Sequence, residues 1–217
     1  MNRRIRIIVL SAVVFCATML ISPNLRANTV VWNAQATALT LSDLITLNPA
    51  TNLIMMGYFT TNDSAVINLA INPLMLSSLF VPISTSTVGK FGETQYSYGG
   101  IWGASVSANF QTLGIAYSNI YVWAFDAQTI AGASEQGIFK FAATFPDEMA
   151  APVTIDLTNL FTGGTVLWGS TDQGPGNVNT ALGSRPHINL AAIPEPSGFM
   201  LVAAGLAGLL VLRRRKK

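Results

Sequence analysis

The residue types that carry most enzyme chemistry are scarce in this sequence. Its 217 residues include one histidine, His187, and one cysteine, Cys16. A catalytic histidine needs an orienting carboxylate and a nucleophile held by rigid elements, and a zinc site needs several histidine or cysteine ligands. His187 follows Pro186 in a stretch rich in Gly, Pro and Asn, which supplies neither. No catalytic or metal role is therefore predicted for His187, and the chain is predicted not to be an enzyme.

Nine carboxylates lie between residues 28 and 193, and they are scattered. They are Asp43, Asp63, Glu93, Asp126, Glu135, Asp147, Glu148, Asp156 and Asp172. Asp126 and Glu135 flank aromatic segments and form the best pair for a glycosidase, which needs two carboxylates facing each other across a cleft. The interpretation of both as solvated loop acids is favoured, so a sandwich-fold hydrolase is the third hypothesis for function.

Two acidic loops offer the oxygen ligands that calcium takes in proteins. They are Asp147-Glu148 and Asp172-Gln173-Gly174. Neither loop has the alternating acid spacing of a dedicated calcium motif. No cofactor is therefore predicted, and calcium is kept as the alternative.

The aromatic residues supply a second hypothesis, because amphipathic rings on a surface are suited to stacking against sugars. Trp102 and Trp123 lie on patterned strand faces and are predicted to be in the core. Tyr96 and Tyr98, beside Gly99-Gly100, are predicted to be exposed. A polysaccharide-binding module with exopolysaccharide as its ligand is therefore the alternative function.

The charges are distributed unevenly along the chain. Of twelve basic residues, four lie in the first 26 positions and five are residues 213–217. Residues 28–193 hold three basic residues against nine acidic ones, a net charge of −6. Binding to nucleic acid needs clustered cations, so no nucleic-acid partner is predicted.

Period-two alternation of apolar residues predicts half-buried antiparallel strands in the middle of the chain. It is clearest in Trp102–Phe110 and Ile138–Phe145, whereas Asn119–Phe125 is apolar on both faces, which predicts a central strand. The fold is therefore predicted to be mainly β. We expect an antiparallel β-sandwich or jelly-roll-like body over residues 28–171, followed by a Gly/Pro/Asn-rich tether over residues 172–193.

Little helix is predicted. The two candidates are Leu41–Leu47, preceded by the capping residue Thr40, and Asn72–Phe80, with Pro73 in its first turn. Thr61-Asn62-Asp63-Ser64 is instead predicted to be a turn, because these residue types favour turns.

The N-terminus has the three parts of a secretory signal peptide. A basic segment precedes the apolar run Ile7–Ile21, and Pro23 and the small residue Ala27 follow. Residues 1–27 are therefore predicted to be removed by cleavage between Ala27 and Asn28, with an uncleaved anchor helix as the alternative. The secretion machinery is then a partner, and the mature chain holds no cysteine for a disulfide.

The C-terminus combines Pro194-Glu195-Pro196, the apolar run Gly198–Leu212 and five consecutive cations. A helix of 15 residues spans about 22 Å, against a hydrocarbon core of about 30 Å, and flanking cations can snorkel to the surface. A single transmembrane helix is therefore predicted over residues 198–212. The positive-inside rule places the basic tail in the cytoplasm and the body across the membrane. The cations are Arg213, Arg214, Arg215, Lys216 and Lys217.

This three-part tail over residues 194–217 resembles the PEP-CTERM sorting signal of Gram-negative bacteria that make exopolysaccharide. The resemblance implies recognition by exosortase, a membrane-embedded enzyme similar to cysteine transpeptidases. It also implies that sorting and processing depend on two groups of residues. These are Pro194, Glu195 and Pro196, and the cations Arg213, Arg214 and Arg215 that follow the apolar run. The tail would anchor the protein in the membrane before processing, and the body would then reach the cell surface or the extracellular space.

The body resembles, more weakly, short β-rich proteins that carry the same tail. The residues that carry this resemblance are Asn119–Phe125 and Ala133–Phe139. It implies a fold and no activity. The leading hypothesis for function is therefore an exported cell-surface or extracellular-matrix protein with a structural or adhesive role.

Overall fold

The computed structural model describes residues 27–174 and 176–194. Strands dominate these residues, as the alternating patterns predict. The strands are β1 (Asn28–Asn33), β2 (Ala38–Thr40), β3 (Leu53–Phe59), β4 (Phe80–Thr87), β5 (Lys90–Phe91), β6 (Thr94–Gln95), β7 (Gly103–Ala108), β8 (Asn119–Phe125), β9 (Glu135–Thr144), β10 (Val153–Asp156), β11 (Thr165–Trp168), β12 (Val178–Thr180), β13 (Gly183–Arg185), β14 (His187–Asn189) and β15 (Ala191–Ala192).

Two sheets form the body. The central sheet is antiparallel, with the order β11-β9-β8-β3-β4, and β15 also pairs with β9. The outer sheet has the order β10-β1-β7-β5-β6 and is mixed, because β1 runs parallel to β10 and β5 runs parallel to β7. The prediction of a mainly β protein with antiparallel sheets and few helices is confirmed.

The main hydrophobic core contains residues from both sheets. Val30 and Trp32 of β1 belong to the same buried cluster as Val122 of β8 and Phe139 of β9, and each is at most 1% exposed. The Trp32 ring meets the edge of Trp102 with 6.3 Å between ring centroids. Alternate residues of β1 are buried, so the period-two pattern in the sequence corresponds to the side of the strand that faces this core.

Two short helices, Asp63–Leu69 and Pro73–Ser77, cover the other face of the central sheet. Val66 and Leu76 of these helices share a second buried cluster with Trp123 of β8. Strand β8 is therefore buried on both faces between β9 and β3, which confirms the central-strand prediction. The Asp63–Leu69 and Pro73–Ser77 helices, which we call the helical layer, therefore form a third layer beside the two sheets of the predicted sandwich.

The helix predictions succeed in part. The predicted Asn72–Phe80 helix is shortened to Pro73–Ser77, and the Asn72 side chain caps it by accepting a hydrogen bond from the Met75 amide at 3.1 Å. The Asp63–Leu69 helix begins within the predicted Thr61–Ser64 turn. Its N-cap Asn62 accepts from the Ala65 amide, and such residues suit turns and helix starts equally.

The predicted Leu41–Leu47 helix is wrong. The Asp43 carboxylate there accepts hydrogen bonds from the amides of Ile45 and Thr46 at 3.0 and 2.8 Å. Leu44 takes a φ of 66°, which an α-helix does not allow. A short acidic side chain that binds nearby amides competes with the helical hydrogen bonds, and here it produces a turn.

The predicted tether over residues 172–193 is largely folded. Strands β12 and β13 pair with each other, β14 pairs with β2, and β15 pairs with β9. Ile188 and Leu190 are at most 1% exposed. The backbone partners of β14 and β15 come from distant parts of the chain, so local composition does not reveal these strands.

The two terminal signals lie outside the described residues except at their inner edges. Ala27 and Pro194 are described, whereas Glu195, Pro196, the apolar run 198–212 and the basic tail 213–217 are not. Within residues 27–174 and 176–194, none of the helices combines the length and apolar character needed to cross a membrane.

Candidate functional site

The last strand of the body runs along the beginning of β9. In β15, Ala191 pairs with Gln136 and Ala192 pairs with Glu135. The amide of Ile193 then donates a hydrogen bond to the Ser134 carbonyl at 2.8 Å. Pro194 has no amide hydrogen, so it cannot extend this ladder, and it is exposed. Donation of amide hydrogens to this ladder is therefore interrupted at a defined residue, Pro194.

Two carboxylates hold the turn against which this strand pairs. Asp126 accepts hydrogen bonds from the backbone amide of Ser134 at 2.9 Å and from its hydroxyl. Glu135 accepts from the amide and hydroxyl of Ser42 at 2.8 and 2.6 Å. Asp126 and Glu135, the best glycosidase pair in the sequence, are thus each engaged in hydrogen bonds to a serine, and these bonds fix the residues with which β15 pairs.

A groove of about 810 Å³ adjoins Pro194. One wall is the start of the Pro73–Ser77 helix, where Ile71 is 57% exposed and Leu74 is 60% exposed. Among the described lining residues, Glu135 alone is charged. We call this surface the exit groove. Its lining residues are Ile71, Asn72, Pro73, Leu74, Ile130, Ala131, Ala133, Ser134, Glu135, Ala192, Ile193 and Pro194.

Residues 192–216 match the family model of the PEP-CTERM protein-sorting motif. The C-terminal segment is a PEP-CTERM motif. The match begins at Ala192 in β15, so the first residues of the motif belong to the folded body. The motif indicates an exported protein that exosortase, a membrane enzyme, processes. No curated protein and no solved structure matches the chain.

The Asp63–Leu69 helix, which precedes the helical wall of the groove, is bonded to the central sheet by Asp63. Its carboxylate receives hydrogen bonds from Lys140 Nζ at 2.8 Å and from the Tyr121 hydroxyl at 2.7 Å. Burial alone would raise the pKa of Asp63, but these two hydrogen bonds outweigh it and the pKa lies below its ordinary value. The sequence did not reveal this cluster, because its members come from one helix and two strands.

At the far end of β9 from the PEP-CTERM motif lies the predicted signal cleavage site. Ala27 is exposed, whereas Asn28, the first residue of β1, is only 6% exposed. Its amide group donates to the carbonyls of Asp147 and Ala150, both at 2.8 Å. The structure therefore brings together Asn28 and the 147–150 loop, while Ala27 and Pro194 are not neighbours.

In the two acidic loops proposed for calcium, Asp147 and Asp172 accept hydrogen bonds from the protein itself. The Asp147 carboxylate accepts from the Tyr117 hydroxyl and from the amides of Met149 and Ala150. The Tyr117 hydrogen bond is the largest of the effects that lower the pKa of Asp147. Asp172 accepts from the Gly174 amide at 3.0 Å. In the part of the chain that the structure describes, His, Cys, Asp and Glu form no group of three or more arranged to hold a metal.

The aromatic residues divide as the sequence predicted, except that Tyr98 is half-buried rather than exposed. Trp102 and Trp123 are fully buried, and Tyr96 is 41% exposed. Tyr96 and Tyr98 stack on each other with centroids 4.9 Å apart and planes 8° apart. Phe91 meets both rings edge-on and borders a shallow depression of about 270 Å³ on the outer sheet.

The sequence places His187 in the predicted Gly/Pro/Asn-rich tether, whereas in the structure it lies in β14 with no exposed surface. The Gln173 side chain accepts from its backbone amide at 3.1 Å and donates to its carbonyl at 2.6 Å. Burial lowers the pKa of the imidazole, which is the largest effect on it. The neutral ring is therefore favoured in the folded protein.

Proposed function

We propose that the chain is a non-enzymatic cell-surface or extracellular-matrix protein with a structural or adhesive role. Its precursor is anchored by a transmembrane helix over residues 198–212 and is then processed by exosortase near Pro194-Glu195-Pro196. The observation that carries the proposal is the PEP-CTERM match that starts in the last strand of the body.

The geometry of the exit supports processing at this point. Among the described residues, Ile193 makes the last hydrogen bond of the β15–β9 ladder, and Pro194 has no amide hydrogen with which to continue it. Each proline fixes its own φ and disfavours the α-conformation in the residue before it. The Pro-Glu-Pro sequence therefore favours the extended form in which a peptide enters an enzyme cleft.

The start of the body supports export through a cleaved signal peptide. The first residue after the proposed cleavage site is Asn28, and its buried side chain makes the hydrogen bonds that begin β1. Removal of residues 1–27 would leave this contact complete. The body that results has no cysteine and depends on its hydrophobic clusters for stability.

Hydrogen bonds from the body to its own carboxylates support a structural role. Asp126 and Glu135 are each bonded to a serine, and Asp147 is bonded to a tyrosine and two amides. Groups that satisfy one another in this way stabilise loops and strand ends. The hydrolase hypothesis would need two of them to face a shared cleft.

The alternative role is binding of exopolysaccharide by the surface aromatic cluster. Phe91, Tyr96 and Tyr98 form one contiguous group at the edge of the outer sheet. If this cluster binds sugar, the purified protein is retarded in a polysaccharide gel and the Tyr96→Ala Tyr98→Ala variant is not. Retardation that survives the double substitution would exclude the cluster as the binding site.

Mass spectrometry of the C-terminus tests the main proposal. Protein recovered from a host that contains exosortase is expected to lack the apolar run and the five terminal cations, and protein from the same host without exosortase is expected to retain them. A full-length tail in both hosts would reject processing. A tail lost in both would assign the cleavage to another protease.

A further inference from the structure

We propose that the exit groove is a lipid-facing surface. While the C-terminal segment is attached, Ile71 and Leu74 rest against the outer surface of the bilayer, at the level where headgroups meet acyl chains. This inference rests on the proposed transmembrane role of residues 198–212, and it assigns an orientation to the body that the PEP-CTERM motif alone does not.

The length of chain between the body and the apolar run carries the argument. Three residues, 195–197, separate Pro194 from Gly198. A fully extended chain covers at most about 3.6 Å per residue, so the apolar run begins within about 14 Å of Pro194. Pro194 itself lines the exit groove, and so the groove cannot lie far from a membrane that holds the run.

The chemistry of the groove suits this position. Ile71 and Leu74 expose more than half of their surface, and Met75, next in the same helix, is 56% exposed. Clustered exposed aliphatic residues are unfavourable in water and mark contact surfaces. Their partner must accept apolar side chains within reach of a membrane segment, and lipid meets both conditions.

The charge of the groove distinguishes lipid from an ionic partner. Glu135 is the one charged residue among the described lining, and its carboxylate is already bonded to Ser42. The groove therefore offers no cations to acidic lipids and few free polar groups to a protein. The contact is apolar, and the covalent tail maintains it.

Site-specific fluorescence can test this orientation, because the mature chain has no other cysteine. The precursor is exported in a host without exosortase, purified with its tail, given a single cysteine carrying a polarity-sensitive dye, and reconstituted into phosphatidylcholine vesicles. Leu74→Cys probes the groove. Met149→Cys is the matched control, since Met149 is 89% exposed and lies beyond the other end of β9.

The dye at Leu74 is expected to shift its emission to the blue and to lose most of its fluorescence to a quencher carried on the lipid. The dye at Met149 is expected to do neither. Equal behaviour at the two positions would overturn the proposal. A Leu74 dye that is shielded only when exosortase is added would assign the groove to the enzyme, which also overturns it.

A third position separates this inference from the proposed function. Leu206→Cys lies within the apolar run and reports whether that run enters the bilayer. Quenching at Leu206 without quenching at Leu74 refutes the groove contact alone. No quenching at Leu206 refutes the transmembrane role, and the orientation fails with it. Ile71→Cys repeats the groove measurement should the Leu74 variant fold poorly.

Discussion

The body begins and ends at opposite ends of β9, and these two ends differ in how their exposed apolar residues are arranged. Thr144 lies near the start of the body and Glu135 near its exit, about 30 Å apart at the usual rise of a strand. At the Asn28 end, defined by Asn28, Tyr117 and residues 147–150, Tyr117 and Met149 are 69% and 89% exposed.

At the Asn28 end, polar groups lie between the exposed apolar residues. The Tyr117 hydroxyl donates a hydrogen bond to Asp147, and the Asn109 side-chain amide donates one to Glu148 at 3.5 Å. At the Pro194 end, defined by Ser134, Glu135 and the exit groove, Ile71 and Leu74 instead share one surface. Both ends therefore expose apolar residues. They differ because only the Pro194 end groups exposed aliphatic side chains on one surface.

Both ends nevertheless use the same device to fix the chain. A carboxylate binds amides in a turn, and that turn supplies carbonyl groups to the terminal strand. Asp147 organises the loop whose carbonyls receive Asn28, and Asp126 organises the turn whose carbonyl receives Ile193. Anchoring of the chain is therefore shared by the two ends, while the apolar contact surface belongs to the Pro194 end.

The largest effect is expected from Asn28→Ala. The substitution leaves the Asp147 and Ala150 carbonyls without their donor, and losing partners of this kind costs about 2 kcal/mol in the free energy of unfolding. Urea denaturation measures the loss. Asn179→Ala, at an exposed position of β12, is the matched control and is expected to change stability by less than about 0.5 kcal/mol. Equal losses would show that the Asn28 contacts do not hold β1.

A crossed pair of substitutions tests whether the two ends of the body are held independently. Asp126→Ala removes the acceptor of Ser134, so hydrogen exchange should quicken at Ile193 by about fivefold, as expected for a loss of about 1 kcal/mol. Asp147→Ala should quicken exchange at the start of β1 and leave Ile193 unchanged. Mass spectrometry of peptides from both regions measures this. Loosening of both ends by either variant would contradict independent anchoring.

The sequence predicted those parts of the molecule that are encoded locally. The tail could be recognised because its three parts follow one another, and β8 because Asn119–Phe125 is apolar on both faces. The pairing of Ile188 with Leu39 could not be recognised, since the partners are far apart in the chain and neither segment is long enough to show a pattern.

The candidate site was predicted only in its motif residues. Asp126 and Glu135 were identified as notable, but their partners were not. Ser134 reaches Asp126 only when the β8–β9 connection is folded, and Ser42, the partner of Glu135, is far away in the chain. The groove was missed because Leu74 and Leu76 are chemically alike, and packing on the central sheet decides that Leu76 is buried and Leu74 exposed.

A smaller effect on stability is expected from acidification, through His187 in β14, the strand that precedes β15. Burial lowers the pKa of this histidine, so the unfolded chain takes up a proton as pH falls through about 6.5 while the folded chain resists it. The melting temperature should therefore fall between about pH 7.5 and 5.5. His187→Gln should flatten this dependence, whatever its stability at neutral pH. An unchanged slope would show that another group titrates.

The smallest effect is expected midway along β9, where Lys140 bonds Asp63 of the helical layer at 2.8 Å. Both side chains are partly exposed, at 25% and 36%, so solvent screens the pair, and Lys140→Met should cost less than about 1 kcal/mol. Lys90→Met is the matched control, since Glu93 is 99% exposed and 3.6 Å away, and its cost should be near zero. Urea denaturation compares the two.

The Lys140→Met variant should also raise the pKa of Asp63, because a hydrogen bond and a positive charge that favour the carboxylate are removed. An NMR titration of that carboxyl group measures the change, and an unaltered pKa would show that Tyr121 alone sets it. Val66 and Leu76 remain buried against the central sheet in this variant, so the groove wall should stay in place. The lipid contact of a dye at Leu74 is then expected to persist, because apolar packing rather than the ion pair positions that wall.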